Sequence, residues 1–197
     1  MSIPKITRTG FALALLLISS LSSAHGLDQA ATSFASGLFH PWTGVDHMLA
    51  MLLVGVWSAN APVRAWLSPI VFMLTLWFGA MLGDWPVDAH GLELMVAGSL
   101  IGLGLMVWKI KPEAWISHAL GLFTIALFGL VHGWVHGIEL QTPQHQEAIL
   151  GMILSSACLH ALGWASAKKW FPLFPQARFC IGVASVSLGG VMMALLS

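Results

Sequence analysis

The sequence predicts an all-α membrane protein, in which a cleaved N-terminal signal peptide precedes six transmembrane helices and both mature termini face the periplasm. The 197 residues are 57% hydrophobic and only 8% charged, with a mean hydropathy of +0.84. Soluble domains carry roughly 25% charged residues, so most of this surface is expected to face lipid. Beyond the N-terminal segment, apolar stretches recur, and Lys and Arg occur only in alternate loops between them.

The N-terminal segment has the composition of a secretory signal peptide. A short basic start is followed by the apolar run Phe11–Leu21, which is about half as long as a membrane span. Small residues then lead up to Ala24, as is usual before a cleavage point. We therefore expect a signal peptide, 1–24, and a six-helix transmembrane domain, 25–197, with an uncleaved anchor as the alternative.

Six apolar stretches follow, each close to the roughly 20 residues that a helix needs to cross a bilayer. Only a helix satisfies its backbone hydrogen bonds within a single segment in lipid, so each stretch is predicted to be helical. Small residues recur within them, and such residues let membrane helices pack closely. The predicted spans cover residues 37–59, 62–83, 90–108, 114–138, 147–167 and 179–196.

The basic residues predict the orientation. With the mature N-terminus outside, the loops after the first, third and fifth spans face the cytoplasm. These loops contain every Lys and Arg beyond the signal peptide, as the positive-inside rule requires of a multi-pass protein of the bacterial inner membrane. The basic residues are Arg64, Lys109, Lys111, Lys168, Lys169 and Arg178, whereas the opposite loops carry Asp84, Asp88 and Glu147.

Ionisable side chains collect near the outer ends of three predicted spans. Such groups are costly in lipid and therefore indicate a functional site. Imidazoles and carboxylates without thiolates form a ligand set that suits a divalent transition metal. The candidates are His40, Asp46 and His47 in the first span, His90 and Glu93 in the third, and His132, His136 and Glu139 in the fourth.

The fourth span ends in "HGWVHGIE", residues 132–139. His132 and His136 are four residues apart on one helix face, so their imidazoles are positioned to bind one ion, and Glu139 extends that face. The alternative is a pair of interfacial histidines that hydrogen-bond to neighbouring backbone.

The first span opens with "HPWTGVDH", residues 40–47. On a regular helix His40 and His47 lie about 10 Å apart along the axis, too far to share an ion. Pro41 is typical of a helix start, which would put His40 at the cap. Either the first turn is irregular and brings His40 back, or His40 belongs to a separate outer site. Asp46 is either a ligand or an acceptor that fixes the tautomer of an imidazole from another helix.

Two further histidines are possible metal or pathway residues. His160, in the fifth span, is either a second position on a path across the membrane or a packed, hydrogen-bonded side chain. His25 becomes the mature N-terminus if cleavage follows Ala24, and its amine and imidazole would then form a bidentate chelate.

These residues resemble two motifs of the HupE/UreJ family. His40, Asp46 and His47 match H-x5-D-H, and residues 132–139 resemble F-H-G-x-[AV]-x-G-x-E, with Val131 in place of Phe. The resemblance covers the whole mature chain. It implies a secondary permease for nickel that serves hydrogenase or urease maturation, and some members are linked to cobalt or copper.

The function expected from this resemblance is import of a divalent transition metal, Ni²⁺, across the inner membrane through a His/Asp/Glu site in the outer half of the bundle. The metal is cargo, and no permanently bound cofactor is expected. The partners are the metal ion and the lipid bilayer, with a homo-oligomer possible and no basic surface for nucleic acid. The alternatives are a cobalt or copper transporter and a membrane haem protein for electron transfer. An enzyme is not expected, because neither H-E-x-x-H nor G-x-S-x-G occurs.

The predicted orientation is tested by a fusion after Ser197 to a reporter enzyme that folds only in the periplasm. We expect an active reporter, since six spans return the chain to the side from which it started. We also expect that Lys168 and Lys169 resist a membrane-impermeant amine reagent in intact cells. An inactive fusion, together with an active fusion at the same position to a reporter that folds only in the cytoplasm, would contradict the six-span count.

Overall fold

The computed structural model describes five ranges of the chain, namely residues 34–61, 64–85, 87–109, 115–139 and 145–197. Within these ranges the structure is helical and has no β-strand. The predicted signal peptide, 1–24, and His25 lie outside the described residues. The helices are α1 (Phe34–Thr43), α2 (Val45–Ser58), α3 (Leu67–Ala80), α4 (Ala89–Lys109), α5 (Trp115–Glu139), α6 (His145–Trp170) and α7 (Ala177–Leu196).

Helices α4 to α7 are each long and apolar enough to cross a membrane, and they correspond to the predicted third to sixth spans. Helices α2 and α3 contain 14 residues each, fewer than a full span requires. Helices α1 and α2 share the predicted first span, because only Gly44 separates them. The all-helical fold is thus confirmed for the described residues, and the count of six spans stays a prediction.

A proline lies just beyond the end of α6. Pro172 follows Trp170, the last residue of that helix. A proline inside a helix removes a backbone hydrogen bond and clashes with the preceding turn, so helices tend to stop near one. The interiors of α5 and α6 contain no proline and run uninterrupted.

The first span departs from expectation at Pro41. Helix α1 starts at Phe34 and continues through Pro41 to Thr43, so the predictions that Pro41 begins the helix and that His40 is its cap are wrong. Packing against α6 accounts for the additional turns: Gly37 in α1 is buried against the backbone of Ala148. The helix is interrupted instead at Gly44, whose φ of −95° and ψ of 119° are extended.

The helices pack in close pairs through glycine. Helices α1 and α2 lie against α6, α3 lies against α5, and α4 lies against α7. A Cβ atom at Gly133 of α5 would overlap the carbonyl of Leu76 in α3, and one at Gly55 of α2 would overlap the carbonyl of His160 in α6. Small residues of this kind allow membrane helices to approach backbone to backbone.

Glycines and histidines lie on different faces of helix α5. Gly129, Gly133 and Gly137 are spaced four apart and contact α3. His132 and His136 each precede one of these glycines, and adjacent residues on a helix point about 100° apart. The glycine face therefore binds α3, and the histidine face is directed towards α1 and α2, where it meets other imidazoles.

The interior and the perimeter are both apolar. Trp57, Phe72 and Leu100 are fully buried in the central core. Many large apolar side chains lie on the outside, among them Phe123, which is 72% exposed. An apolar perimeter of this extent is what a lipid-facing bundle requires.

The glycine contact between α3 and α5 predicts a stability difference between two matched variants. Gly133→Ala should lower the free energy of unfolding by about 1–3 kcal/mol, because its methyl group meets the Leu76 backbone. Gly98→Ala in α4 is the control: its methyl group meets no atom within 4 Å, so it should be neutral or stabilising. Thermal unfolding of the two purified proteins in detergent measures the difference, and equal melting temperatures would contradict it.

Candidate metal site

Four imidazoles meet at the end of the bundle where α1 stops, α2 begins and α5 stops, which we call the site end. We call His40, His47, His132 and His136 the histidine cluster. The ring centroid of His136 lies 4.6 Å from that of His40 and 4.5 Å from that of His47. The His47 ring lies 5.4 Å from that of His132 and 5.9 Å from that of His40. Three separate helices thus supply one contiguous group of imidazoles.

Glu139 adds a carboxylate at the edge of the histidine cluster. Its Oε2 accepts a hydrogen bond from His136 Nδ1 at 3.1 Å and lies 3.4 Å from His40 Nε2. Ligand atoms of these three residues all lie within 4.8 Å of one another, a spacing at which they can hold one metal ion. The Glu139 side chain is 34% exposed, whereas His136 is fully buried, so the group connects the surface with the interior.

Asp46 is bonded to its neighbour. Its Oδ1 accepts a hydrogen bond from His47 Nδ1 at 2.9 Å. A Cβ atom at Gly44 would lie 2.9 Å from that oxygen and 3.0 Å from that nitrogen, so the contact between Asp46 and His47 requires glycine at position 44. Because a carboxylate only accepts, Nδ1 of His47 carries a proton, and in the neutral imidazole Nε2 presents a lone pair.

The same tautomer is set at the two histidines of α5. Nδ1 of His132 donates to the Phe128 carbonyl at 2.9 Å, and Nδ1 of His136 donates to Glu139. The Nε2 atoms of His47, His132 and His136 are buried and have no hydrogen-bond partner among the described residues. A buried polar atom without a partner is costly and requires an explanation, and a bound cation supplies one.

The geometry bears on the alternatives left open for the first span. The break at Gly44 brings His40 next to His47 and His136, so the first turn is irregular and His40 lies with these imidazoles. The imidazole that Asp46 contacts is His47 of its own helix rather than one from another helix. His132 faces His47 and lies outside the three-residue group, so an ion shared by His132 and His136 stays a prediction.

The remaining candidates lie apart from this group. The His90 side chain is exposed at the start of α4, where its backbone nitrogen donates to Asp88 Oδ1, and Glu93 is partly buried on the same helix. His160 is 1% exposed, and its Nδ1 lies 2.6 Å from the Met51 carbonyl.

One residue at the site was not predicted from the sequence. The Phe72 ring of α3 lies 5.7 Å from that of His132 and 5.3 Å from that of His160. No signal in the sequence distinguishes this phenylalanine from the other nine, because its role depends on which helices meet there. Val131, which replaces Phe in the second motif, is buried with Leu92 and Val96 of α4, away from the imidazoles.

Comparison with known proteins decides the family. The family described as HupE / UreJ protein matches residues 13–193. The chain belongs to the HupE/UreJ family. Protein HupE of Rhizobium leguminosarum bv. viciae is a curated relative, 32% identical over 194 residues that cover 96% of this chain and 97% of that protein. No solved structure matches the chain.

Family membership confirms the resemblance inferred from the two motifs. Together with four helices that are long and apolar enough to cross a membrane, it identifies a multi-pass membrane protein.

Proposed function

We propose that this HupE/UreJ protein is a secondary transporter that imports a divalent transition metal ion, Ni²⁺, across the bacterial inner membrane. The observation that carries the proposal is the set of three buried Nε2 atoms, on His47, His132 and His136, which have no partner among the described residues. The family's general association with nickel and cobalt transport supports the same cargo class.

The donor atoms suit this ion. Imidazole nitrogen binds Ni²⁺ well, carboxylate oxygen adds charge, and no thiolate is present to favour softer metals. The proposed first binding position consists of His40, His136 and Glu139. Glu139 is partly exposed, and the two histidines beside it are more buried. An imidazole must offer a lone pair to bind metal, and fixing Nδ1 as a donor keeps that lone pair on Nε2.

Asp46 acts through His47 in this proposal. A carboxylate bonded to the far nitrogen of a ligating imidazole fixes the ring and increases the basicity of its free nitrogen. Asp46 makes this bond to His47, whose ring lies 4.5 Å from that of His136. The geometry therefore favours an orienting role for Asp46 over direct ligation.

Transport requires that the ion also leave its site. An ion is conducted when several weak positions are available rather than one tight one. Successive rings of the histidine cluster lie within 6 Å of one another, so an ion can exchange one imidazole for the next. Repeated exchange of this kind moves the ion inward without a fully bare intermediate.

The charge pattern supports entry from the periplasm. Lys109 ends α4, Lys168 and Lys169 end α6, and Arg178 begins α7, all at the end of the bundle opposite the site end. By the positive-inside rule that end faces the cytoplasm. The imported nickel would then be available for hydrogenase or urease maturation, in keeping with the family's association with both.

The spacing of the rings argues against the haem alternative. Axial histidines lie on opposite faces of a porphyrin, which needs an open slot between them. The four rings of the cluster are instead in mutual contact, with centroids 4.5 to 5.9 Å apart.

The proposed first position predicts loss of uptake in two variants. His136→Ala and Glu139→Gln should each reduce nickel uptake at submicromolar concentration by roughly 100-fold or more, because the first removes an imidazole ligand and the second removes the charge of the carboxylate ligand. Uptake of radioactive nickel by cells that lack other nickel importers measures the effect, with membrane protein quantified by immunoblot. His90→Ala is the control, since that exposed imidazole lies outside the group. Wild-type uptake in both variants would disprove the site.

The orienting role of Asp46 predicts a smaller loss. Asp46→Asn should weaken nickel binding to the purified protein by about 10- to 100-fold, although every imidazole of the histidine cluster remains. Glu147→Gln is the matched control, because it neutralises an exposed carboxylate at the start of α6. Titration calorimetry in detergent compares the two, and an unchanged affinity for Asp46→Asn would remove Asp46 from the site.

A further inference from the structure

We propose that His160 is a second metal-binding position on the transport path, one helical turn deeper than the histidine cluster. This inference rests on the proposed transport function, because an ion reaches His160 only after passing the cluster. It assigns a role to a buried imidazole that the first binding position does not use.

His160 repeats the arrangement found at His132. Its side chain is almost fully buried, and Nδ1 donates to the Met51 carbonyl at 2.6 Å. Nε2 is buried and has no partner among the described residues. In both residues a backbone carbonyl fixes the tautomer, and the nitrogen able to bind metal is left with its lone pair.

The position of His160 continues the series of imidazoles. Met51 lies four residues beyond His47 on α2, which is about 6 Å along the axis. His160, bonded to Met51, is therefore one turn farther from the site end than His47. The Phe72 ring contacts both His132 and His160, so it connects the cluster with the deeper imidazole.

A purely structural role for His160 accounts for only one of its two ring nitrogens. The hydrogen bond to Met51 ties α6 to α2, where Gly55 already brings the two backbones together. That bond uses Nδ1 alone and leaves Nε2 buried without a partner, at a cost of about 1–3 kcal/mol. The bond to Met51 therefore accounts for Nδ1, and a bound cation would account for the buried Nε2.

The surroundings of His160 suit a weak, transient position. Phe72 offers no ligand atom, and the bond to Met51 occupies that residue's carbonyl. An ion at His160 would gain a single imidazole ligand there. Such weak binding favours release towards the cytoplasm, which transport requires.

The test uses His160→Asn, since the amide nitrogen of Asn can replace Nδ1 as donor to Met51 but Asn has no counterpart of Nε2. The full-length variant is purified for nickel titration and thermal unfolding, and it is reconstituted in liposomes for uptake. We expect binding at the cluster and the melting temperature to match wild type, the KM of uptake to change less than about twofold, and the maximal rate to fall by about tenfold or more. Glu147→Gln, which alters an exposed side chain at the start of α6, is the control.

Three outcomes separate the possibilities. Wild-type uptake by His160→Asn would show that only the bond to Met51 matters, and would overturn the inference. A lower rate accompanied by a lower melting temperature or weaker binding would also overturn it, because the change would then be structural. If wild-type protein fails to take up nickel, the transport function itself fails, a result that the variant comparison cannot mimic.

Discussion

A buried imidazole has two nitrogens to satisfy, and this constraint organises the bundle. At His47, His132, His136 and His160, Nδ1 donates to an oxygen of the protein itself. The second nitrogen of each is buried and lacks a partner within the described part of the chain. The same arrangement occurs on three helices, and each buried nitrogen without a ligand costs free energy. A path for a cation would explain all of them.

Glycine determines where these nitrogens lie. The glycine face of α5 fixes that helix against α3, so the rotation of α5, and with it the direction of His132 and His136, follows from backbone contact. Gly55 positions His160 in the same way, because it brings α6 against α2. The site is therefore positioned by contacts between main chains, which vary less than contacts between long side chains. Substituting a packing glycine would displace ligands that it does not touch.

Local information in the sequence was sufficient for the long helices and for the residue types at the site. Hydropathy identifies α4 to α7, and the cost of charge in lipid singles out Glu139 and the histidines. The pairing of these residues was not predictable. Whether His136 joins His132 or His40 depends on the break at Gly44, which itself depends on how α1 packs against α6. The bond from His160 to Met51 joins residues 109 positions apart, beyond the reach of any periodicity.

The break at Gly44 also makes α1 a separate unit. His40 is carried on a ten-residue helix joined to α2 by one extended residue, and Trp42 Nε1 of that helix donates to Ser155 Oγ of α6 at 2.7 Å. In the proposed site, the contact of α1 with α6 and the binding of an ion by His40 are therefore thermodynamically linked. By thermodynamic reciprocity, whatever free energy the bound ion adds to the docking of α1, that docking adds to the affinity for the ion. On the proposed function, the affinity of the first binding position can thus be adjusted through the contact between α1 and α6, without a change to any ligand.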